Sequence, residues 1–216
     1  MVSVLGVMAA EVYIAVIAIV CAYIIGSFPS AYIAGRLRRG IDIREVGSRN
    51  MGAMNVLYKV GVMEGILVLA VDIGKGAAAV ALARWLGTAE IVQLLGGAAA
   101  IVGHSFPVFL KFHGGKGGAT CIGTLVFLMP WSIPFFLGIF GAVLLFTRYL
   151  TLSYSLAFIC MPFVAWLVYG SGMLVAFSIA LPLLVGTRYI PRIKEMRSVG
   201  GSWRRVALRR NLKDRF

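Results

Sequence analysis

The chain has 216 residues, of which 60% are hydrophobic and 13% charged, and its formal net charge at pH 7 is +13. Together with a mean hydropathy of +0.92, this composition excludes a soluble globular domain and indicates a chain that lies mostly in lipid. Apolar stretches recur along the whole length without a separable soluble segment, which predicts one all-α domain, a polytopic membrane helix bundle over residues 1–216.

We predict about seven transmembrane helices, each recognised by an apolar run between polar or glycine-rich segments. The first apolar segment is expected to be retained, because the first ten residues lack the Lys or Arg that begins a secretory signal peptide. Pro130 and Pro134 interrupt the stretch 119–147, where we predict two hinged helices, the first of them short. The predicted spans are 11–35, 61–83, 91–110, 119–131, 133–147, 152–169 and 173–190.

The basic residues predict the orientation of these spans. All but two of the 21 Lys and Arg residues fall on one side of a seven-span chain, the exceptions being Lys75 within a span and Arg84 on the other side. Because Lys and Arg accumulate in cytoplasmic loops, that side is predicted to be cytoplasmic and the N-terminus to be outside. The basic tail 191–216 is interpreted as a topology signal that contacts anionic headgroups. No nucleic-acid module accompanies it, so nucleic acid is not an expected partner.

The first polar loop, VGSRNMGAMNV at residues 46–56, contains groups that suit an anion. Gly47 and Gly52 allow backbone N–H groups to approach an oxyanion closely. Hydroxyl, guanidinium and amide groups supply further donors, on Ser48, Arg49, Asn50 and Asn55. The alternative is a tight turn with solvated side chains.

Ionisable side chains also occur within the predicted spans. Asp72 and Lys75 in LAVDIGKG are three residues apart, on one helical face, and a structural pair that neutralises both charges is favoured over a functional role. For His104, near the end of the third span, a packing histidine is favoured over a general base. The cysteines lack metal-ligand spacing and are interpreted as packing residues: Cys21, Cys121 and Cys160.

The second polar loop, KFHGGKGGAT at residues 111–120, places Lys116 between two pairs of glycines. It is not a nucleotide-binding phosphate loop, since Leu110 replaces the first glycine of that motif and Gly117 follows the lysine. A flexible backbone, a point charge and the start of a helix nevertheless suit phosphate. A flexible loop whose lysine only marks the cytosolic side is the alternative.

Five motifs in order, from about Gly26 to Ser155, resemble the bacterial membrane-embedded acyl-phosphate:glycerol-3-phosphate acyltransferases: GSFPSAYIAGRL, DIREVGSRNMGAMNV, LAVDIGKG, GHSFPVFLKFHGGKGGAT and RYLTLSYS. The resemblance implies a seven-helix protein of the bacterial inner membrane. Such a protein moves a fatty acyl group from acyl phosphate to the 1-hydroxyl of glycerol 3-phosphate, giving lysophosphatidic acid for phospholipid synthesis. It implies no acyl-CoA, metal, other cofactor or covalent acyl-enzyme. The implied partners are both substrates, membrane lipids and possible lipid-synthesis enzymes.

The resemblance also assigns site residues, none of them a nucleophile. Lys116, with Gly114, Gly115 and Gly117, would bind a substrate phosphate. The first loop would hold a phosphate or the glycerol hydroxyls through Ser48, Arg49, Asn50, Gly52 and Asn55. The supporting residues would be Asp72, Lys75, His104 and Arg188.

Several positions depart from the family pattern. Arg49 stands where the family usually has glycine, so that a bulky cation enters the anion loop and could either donate to a phosphate or block it. Met54 replaces a threonine. Tyr58 occupies an arginine position, for which the neighbouring Lys59 is a possible substitute. Near the C-terminus, two residues replace the usual His and Asn: Tyr189 and Arg192. These changes keep open a relative with another acceptor, or a non-catalytic one that binds anionic lipid or acyl phosphate. A transporter is less favoured, because no internal repeat with matching broken spans is present.

Overall fold

The computed structural model describes residues 4–190, with side chains from Gly6 onward except that of Thr151. Every regular element in this range is helical, which confirms the predicted all-α class. The elements are α1 (Val4–Gly26), α2 (Ser30–Arg39), α3 (Ala53–Lys59), α4 (Val62–Trp85), α5 (Glu90–Ser105), a 3-10 helix (Val108–Leu110), α6 (Gly118–Leu128), α7 (Ser132–Thr147), α8 (Leu150–Ile159), α9 (Met161–Tyr169) and α10 (Gly172–Thr187). The predicted basic tail at 191–216 lies outside the described residues.

Helices long and apolar enough to cross a membrane occupy four of the predicted positions within residues 4–190. These segments are Gly6–Arg39, Val62–Trp85, Glu90–Leu110 and Leu152–Tyr169. Shorter apolar helices occupy the other three positions: Gly118–Leu128, Ser132–Thr147 and Gly172–Thr187. The predicted total of seven crossings stays a prediction, because the shorter helices do not by themselves reach the length of a full crossing.

The predicted span 11–35 lies within the apolar segment Gly6–Arg39, which is not one continuous helix, because the chain breaks before Pro29. Helix α1 ends at Gly26 and α2 begins at Ser30. Proline has no N–H and disfavours helical geometry at the residue before it, here Phe28. The break leaves the Phe28 carbonyl outside a regular helix, where it accepts a hydrogen bond from Lys75 Nζ at 3.1 Å. The predicted span 152–169 is likewise divided at Cys160, just before Pro162.

The helical break predicted at Pro130 is confirmed. Helix α6 ends at Leu128 and α7 begins at Ser132, and α6 is short, as expected. Pro134 lies in the first turn of α7, where a missing N–H leaves no helical hydrogen bond unmade.

The chain forms two compact units, Met1–Leu128 and Met129–Phe216, and each is described by itself. In the first unit, α4 packs against α1, α5 and α6 through small residues. A Cβ added to Gly76 would overlap the Thr120 carbonyl, and one added to Gly123 would overlap the Ile73 carbonyl. Such close backbone approach is typical of helices packed within membranes. Alanines fill the neighbouring contact: Ala22, Ala79 and Ala100.

In the second unit, α7 packs against α8, and α9 packs against α10. Aromatic side chains carry part of this packing, and the rings of Phe136 and Phe158 meet edge to face with centroids 5.2 Å apart. The backbone N–H of Trp131 donates to the Tyr169 hydroxyl at 2.9 Å. Large apolar side chains such as Phe146, which is 90% exposed, suit a lipid-facing surface.

Candidate active site

Two buried charges lie at the centre of the first unit. Asp72 is 1% exposed and Lys75 is 5% exposed. The Lys75 ammonium lies 2.9 Å from Asp72 Oδ1, and the Ser30 hydroxyl donates to the same oxygen at 2.7 Å. Burial of an unpaired charge is costly, so the mutual pairing and the Ser30 contact stabilise both ions. The predicted pairing of Asp72 with Lys75 is confirmed.

His104 connects this ion pair to the glycine-rich loop 111–118. Its Nδ1 lies 3.7 Å from Asp72 Oδ1, and its backbone carbonyl accepts a hydrogen bond from the Gly115 N–H at 3.0 Å. A Cβ added to Gly115 would overlap His104 Nε2. The imidazole is therefore packed between a carboxylate and a backbone segment that has no room for a side chain.

The loop 111–118 is fixed to the end of α5. Besides the Gly115 contact, the Gly114 N–H donates to the Ser105 carbonyl at 3.2 Å. Gly117 adopts a φ of +84°, which favours glycine, and α6 begins at the next residue. Lys116 is half-buried on this fixed loop. A lysine held beside a helix N-terminus is an arrangement that suits a phosphate.

The loop 46–56 is organised by a single buried amide, that of Asn55. The two N–H groups of its Nδ2 serve three carbonyl oxygens, one N–H being shared between two of them: those of Ile43 at 2.9 Å, Val46 at 3.0 Å and Asn50 at 3.1 Å. Its Oδ1 accepts from the Ser48 N–H at 3.1 Å. Asn55 therefore holds the loop from inside, and its predicted contact with substrate stays a prediction.

Hydrogen bonding within loop 46–56 limits what its backbone can offer an anion. The N–H groups of Ser48, Arg49 and Gly52 donate to Asn55 Oδ1, the Val46 carbonyl and the Asn50 carbonyl. The sequence predicts that backbone N–H groups of this loop approach an oxyanion, and the fold engages these three internally instead. These three N–H groups are therefore not free to bind an anion, for which the loop still offers the charge of Arg49.

The two loops meet in the first unit. A Cβ added to Gly115 would overlap the carbonyl oxygen of Met51, which belongs to loop 46–56. Leu110, just before the second loop, packs on the apolar cluster that contains Met51 and Val56. Arg44 adds a polar contact, since its Nη1 donates to the Leu110 carbonyl at 3.5 Å. The structure thus brings the two predicted anion loops together.

Known proteins with this sequence pattern identify the family. A family model described as glycerol-3-phosphate acyltransferase matches residues 16–198. The chain belongs to the glycerol-3-phosphate acyltransferase family. Glycerol-3-phosphate acyltransferase 2 of Dehalococcoides mccartyi is 51% identical over 203 residues, which cover 93% of this chain and 97% of that protein. The glycerol-3-phosphate acyltransferase of Bacillus subtilis is 40% identical over 178 residues, 82% of this chain and 91% of that protein.

Solved structures agree with the family assignment. The chain matches PlsY, an integral membrane glycerol 3-phosphate acyltransferase, in its glycerol 3-phosphate form with a TM-score of 0.78 and 30% identity, covering 87% of this chain and 92% of that chain. The lysophosphatidic acid form of PlsY matches over the same shares with a TM-score of 0.76 and 30% identity. This family member is therefore a bacterial membrane protein, and the resemblance found from its motifs is confirmed.

The remaining predicted residues of this acyltransferase lie in different surroundings. Ser48 and Asn50 are half-buried on the first loop. Arg49 is exposed and has a φ of 54°, the left-handed backbone region in which a glycine, the usual family residue, is unstrained. Gly52 caps the N-terminus of α3. Arg188 belongs to the second unit, where it follows the last turn of α10, and its supporting role stays a prediction.

Three polar residues near the site were not predicted. They are Ser30, which contacts Asp72, and Asp42 and Arg44, which form an ion pair. Asp42 is 7% exposed, and its Oδ2 lies 2.7 Å from Arg44 Nη2. The hydrogen bonds from Arg44 hold the pKa of the Asp42 carboxyl below its usual range. The sequence carries two signals for these residues. Ser30 directly follows the helix-breaking Pro29, and Asp42 stands two residues before the basic Arg44. Among residues 4–190, no group of three or more His, Cys, Asp or Glu side chains is placed to hold a metal ion.

Replacing Asn55 with aspartate is expected to lower the free energy of unfolding by about 2 to 3 kcal/mol. The carboxylate would face the carbonyl oxygens of Ile43, Val46 and Asn50 with no N–H to donate. Thermal unfolding in detergent, followed by circular dichroism, measures the loss. Asn50→Asp is the matched control, because the Asn50 side chain is only half-buried. Equal losses for the two variants would contradict the role assigned to Asn55.

Proposed function

We propose that this protein transfers a fatty acyl group from acyl phosphate to the 1-hydroxyl of glycerol 3-phosphate. The bond between the acyl carbon and the phosphate oxygen breaks, and an ester bond forms between that carbon and the 1-oxygen of the acceptor. Inorganic phosphate leaves, and the hydroxyl proton passes to a substrate phosphate. The product is lysophosphatidic acid, a precursor for phospholipid synthesis.

The observation that carries the proposal is the meeting of the two loops at Gly115 and Met51. Both substrates bear a phosphate, and the joined loops carry two cations of the predicted site, Arg49 and Lys116. Family membership supports the same acceptor, since PlsY, a relative of similar fold, has been solved in a glycerol 3-phosphate form. When two anionic substrates bind at adjacent positive groups, binding already brings them together. Much of the entropy cost of their association is therefore met before the reaction begins.

Each loop has a distinct part in this mechanism. Lys116 binds a substrate phosphate and offsets the charge that develops as the phosphate leaves. Ser48 and Asn50 help to orient a phosphate or the glycerol hydroxyls. The buried pair of Asp72 and Lys75 supports the glycine loop through His104, and takes no proton from the acceptor. Catalysis thus rests on positioning and charge stabilisation, without a protein nucleophile.

We also propose that the protein lies in the bacterial inner membrane, with its N-terminus outside and both loops facing the cytoplasm. The distribution of Lys and Arg supports this orientation. Glycerol 3-phosphate is a soluble anion, and a cytoplasmic site would receive it directly. The acyl phosphate would enter from the lipid side with its chain among the apolar helices.

The test is product formation by the purified protein with palmitoyl phosphate and labelled glycerol 3-phosphate. Labelled lysophosphatidic acid is expected with this acyl donor and not with palmitoyl-CoA. Dihydroxyacetone phosphate and other phosphorylated acceptors test for a different acceptor. Failure to form product with any of them would overturn the proposal and favour a non-catalytic binding protein.

Replacing Lys116 with alanine is expected to lower kcat/KM by roughly 100-fold to 1,000-fold, the usual effect of removing one group that stabilises transition-state charge. Steady-state kinetics with both substrates measure this loss. Lys111→Ala is the matched control, because Lys111 is an exposed lysine at the start of the same loop. If the two variants lost activity equally, the net charge of the loop would matter rather than the position of Lys116.

A further inference from the structure

The turn that leads into the glycine-rich loop 111–118 has a strained backbone. Lys111 and Phe112 have φ values of 53° and 62°, in the left-handed region that residues with a side chain rarely adopt. Backbone conformations of this kind persist only where surrounding contacts hold them, and they are concentrated at functional sites. The position of Lys116, four residues beyond Phe112, therefore depends on the contacts that hold this turn.

The turn is held at the Leu110 carbonyl. Within the turn, the N–H groups of Leu110 and Phe112 donate to the Pro107 carbonyl at 3.1 Å and 3.0 Å. The His113 N–H donates to the Leu110 carbonyl at 3.1 Å. From outside the turn, Arg44 Nη1 donates to the same carbonyl at 3.5 Å, a long contact in which a full positive charge faces the oxygen. A side chain that lies two residues before loop 46–56 thus reaches the start of loop 111–118.

Arg44 is a fixed donor, because Asp42 holds its other nitrogens. The carboxylate accepts from Arg44 Nε at 3.0 Å through one oxygen and from Nη2 at 2.7 Å through the other. The same guanidinium lies over the Tyr32 ring, with its carbon 5.2 Å from the centroid. Paired hydrogen bonds set the orientation of a planar guanidinium, and Nη1 remains for the Leu110 carbonyl. Asp42 also neutralises the charge of Arg44, so this arginine differs from a cation that receives a substrate.

We infer that Arg44, oriented by Asp42, is a positioning residue for acyl transfer, which holds the strained turn so that Lys116 faces the substrates. The inference rests on the proposed function, and it assigns Arg44 no contact with a substrate. Lysine could not replace arginine in this role, because a single ammonium cannot pair with both carboxylate oxygens and also reach the carbonyl on the opposite side.

Arg44→Lys tests the inference, because it keeps the positive charge beside Asp42 and removes the fork. Its Tm is expected to stay close to that of the wild type, and its kcat/KM for acyl transfer to fall roughly tenfold, the effect of about one charge-assisted hydrogen bond. In a Lys116→Ala background the same substitution is expected to lower kcat/KM by less than about threefold, since residues that act through one another are not additive. Wild-type activity of Arg44→Lys, or equal losses in both backgrounds, would overturn the inference.

Arg36→Lys is the matched control. Arg36 also lies over the Tyr32 ring, at 5.3 Å, and its Nη2 is 3.7 Å from Asp42 Oδ2, but the carbonyl that its guanidinium contacts is that of Gly40. Its kcat/KM is expected to stay within about twofold of the wild type, as is usual for an exposed ion pair. If both substitutions lowered activity equally, the charge of the cluster would be responsible rather than the position of Arg44, and the inference would fail.

Hydrogen exchange measures the turn without turnover of substrate. Amide exchange of peptides that cover residues 105–118, followed by mass spectrometry, is expected to be roughly tenfold faster in Arg44→Lys than in the wild type and in Arg36→Lys, with exchange in α4 unchanged. Asp42→Asn, which leaves Arg44 in place without its fork, is expected to give the same local increase and replaces Arg44→Lys if that variant does not fold. If the wild type makes no product, the proposed function fails, and hydrogen exchange alone decides the inference. Equal exchange of the turn in the wild type and the variants overturns it.

Discussion

Replacing Gly115 with alanine is expected to lower kcat/KM for acyl transfer by about 100-fold, because displacement of a catalytic loop by roughly 1 Å has an effect of this size. The added Cβ would overlap both His104 Nε2 and the Met51 carbonyl. Both groups are buried, since His104 is 4% and Met51 1% exposed, so either could withdraw only by displacing its neighbours. The two loops would separate, and the groups that hold the two substrates would no longer be correctly placed. Steady-state kinetics of the purified variant measure the loss.

Gly118→Ala is the matched control for this substitution. Gly118 lies three residues farther along, at the start of α6, and a Cβ added there meets nothing within 4 Å. Its activity is expected to remain within about twofold, and its stability to be unchanged or higher by roughly 0.4–1 kcal/mol. Near-normal activity of Gly115→Ala, with a normal Tm, would show that the contact between the loops does not position the substrates.

Replacing Asp72 with alanine is expected to lower the free energy of unfolding by about 3–5 kcal/mol, the usual effect of breaking a buried ion pair on one side. Lys75 would keep only the Phe28 carbonyl, at 3.1 Å, of the partners described for its ammonium. The Ser30 hydroxyl would lose its acceptor as well. Equilibrium unfolding in mixed micelles, followed by circular dichroism, measures the difference.

Two further variants test whether the loss of stability comes from breaking the buried Asp72–Lys75 pair or from removing any acidic residue on α4. Glu64 lies on the same helix and forms a more exposed ion pair with Arg38, so Glu64→Gln is expected to change stability by less than about 1 kcal/mol. The double variant Asp72→Leu with Lys75→Met is expected to recover most of the loss, because no unpaired charge remains buried. A double variant as unstable as Asp72→Ala would show that Asp72 stabilises the fold through Ser30 or His104 rather than through Lys75.

Sequence patterns among neighbouring residues were sufficient to predict the all-α class, the approximate positions of the spans and the family. The apolar runs predicted the positions of the apolar helices, because a chain in lipid must satisfy its backbone hydrogen bonds within each segment, but they did not predict the short helix α3, which begins inside the predicted loop 46–56. The spacing of Asp72 and Lys75 predicted their pairing, since residues three apart share a helical face. The motifs around Lys116 identified the family from residue types and spacing alone.

Contacts between distant segments could not be predicted in this way. The loop 46–56 was expected to present its N–H groups to an anion, but Asn55 and nearby carbonyls engage three of them. The sequence predicts the first span through Pro29. The break there leaves the Phe28 carbonyl to accept from Lys75, which lies on a helix more than 40 residues away. Ser30 was missed for the same reason, because its acceptor on Asp72 is also remote in sequence.

The sequence by itself determined that this is a helical membrane protein of the glycerol-3-phosphate acyltransferase family, with Lys116 on a glycine-rich loop. Periodicity, composition and motif spacing depend on neighbours along the chain, and a sequence displays those directly. Only the tertiary structure decided that Gly115 brings the two loops together and that His104 lies between Asp72 and this contact. Each of these depends on backbone segments packed closely enough to exclude a Cβ, a property of the folded chain rather than of any short stretch of it.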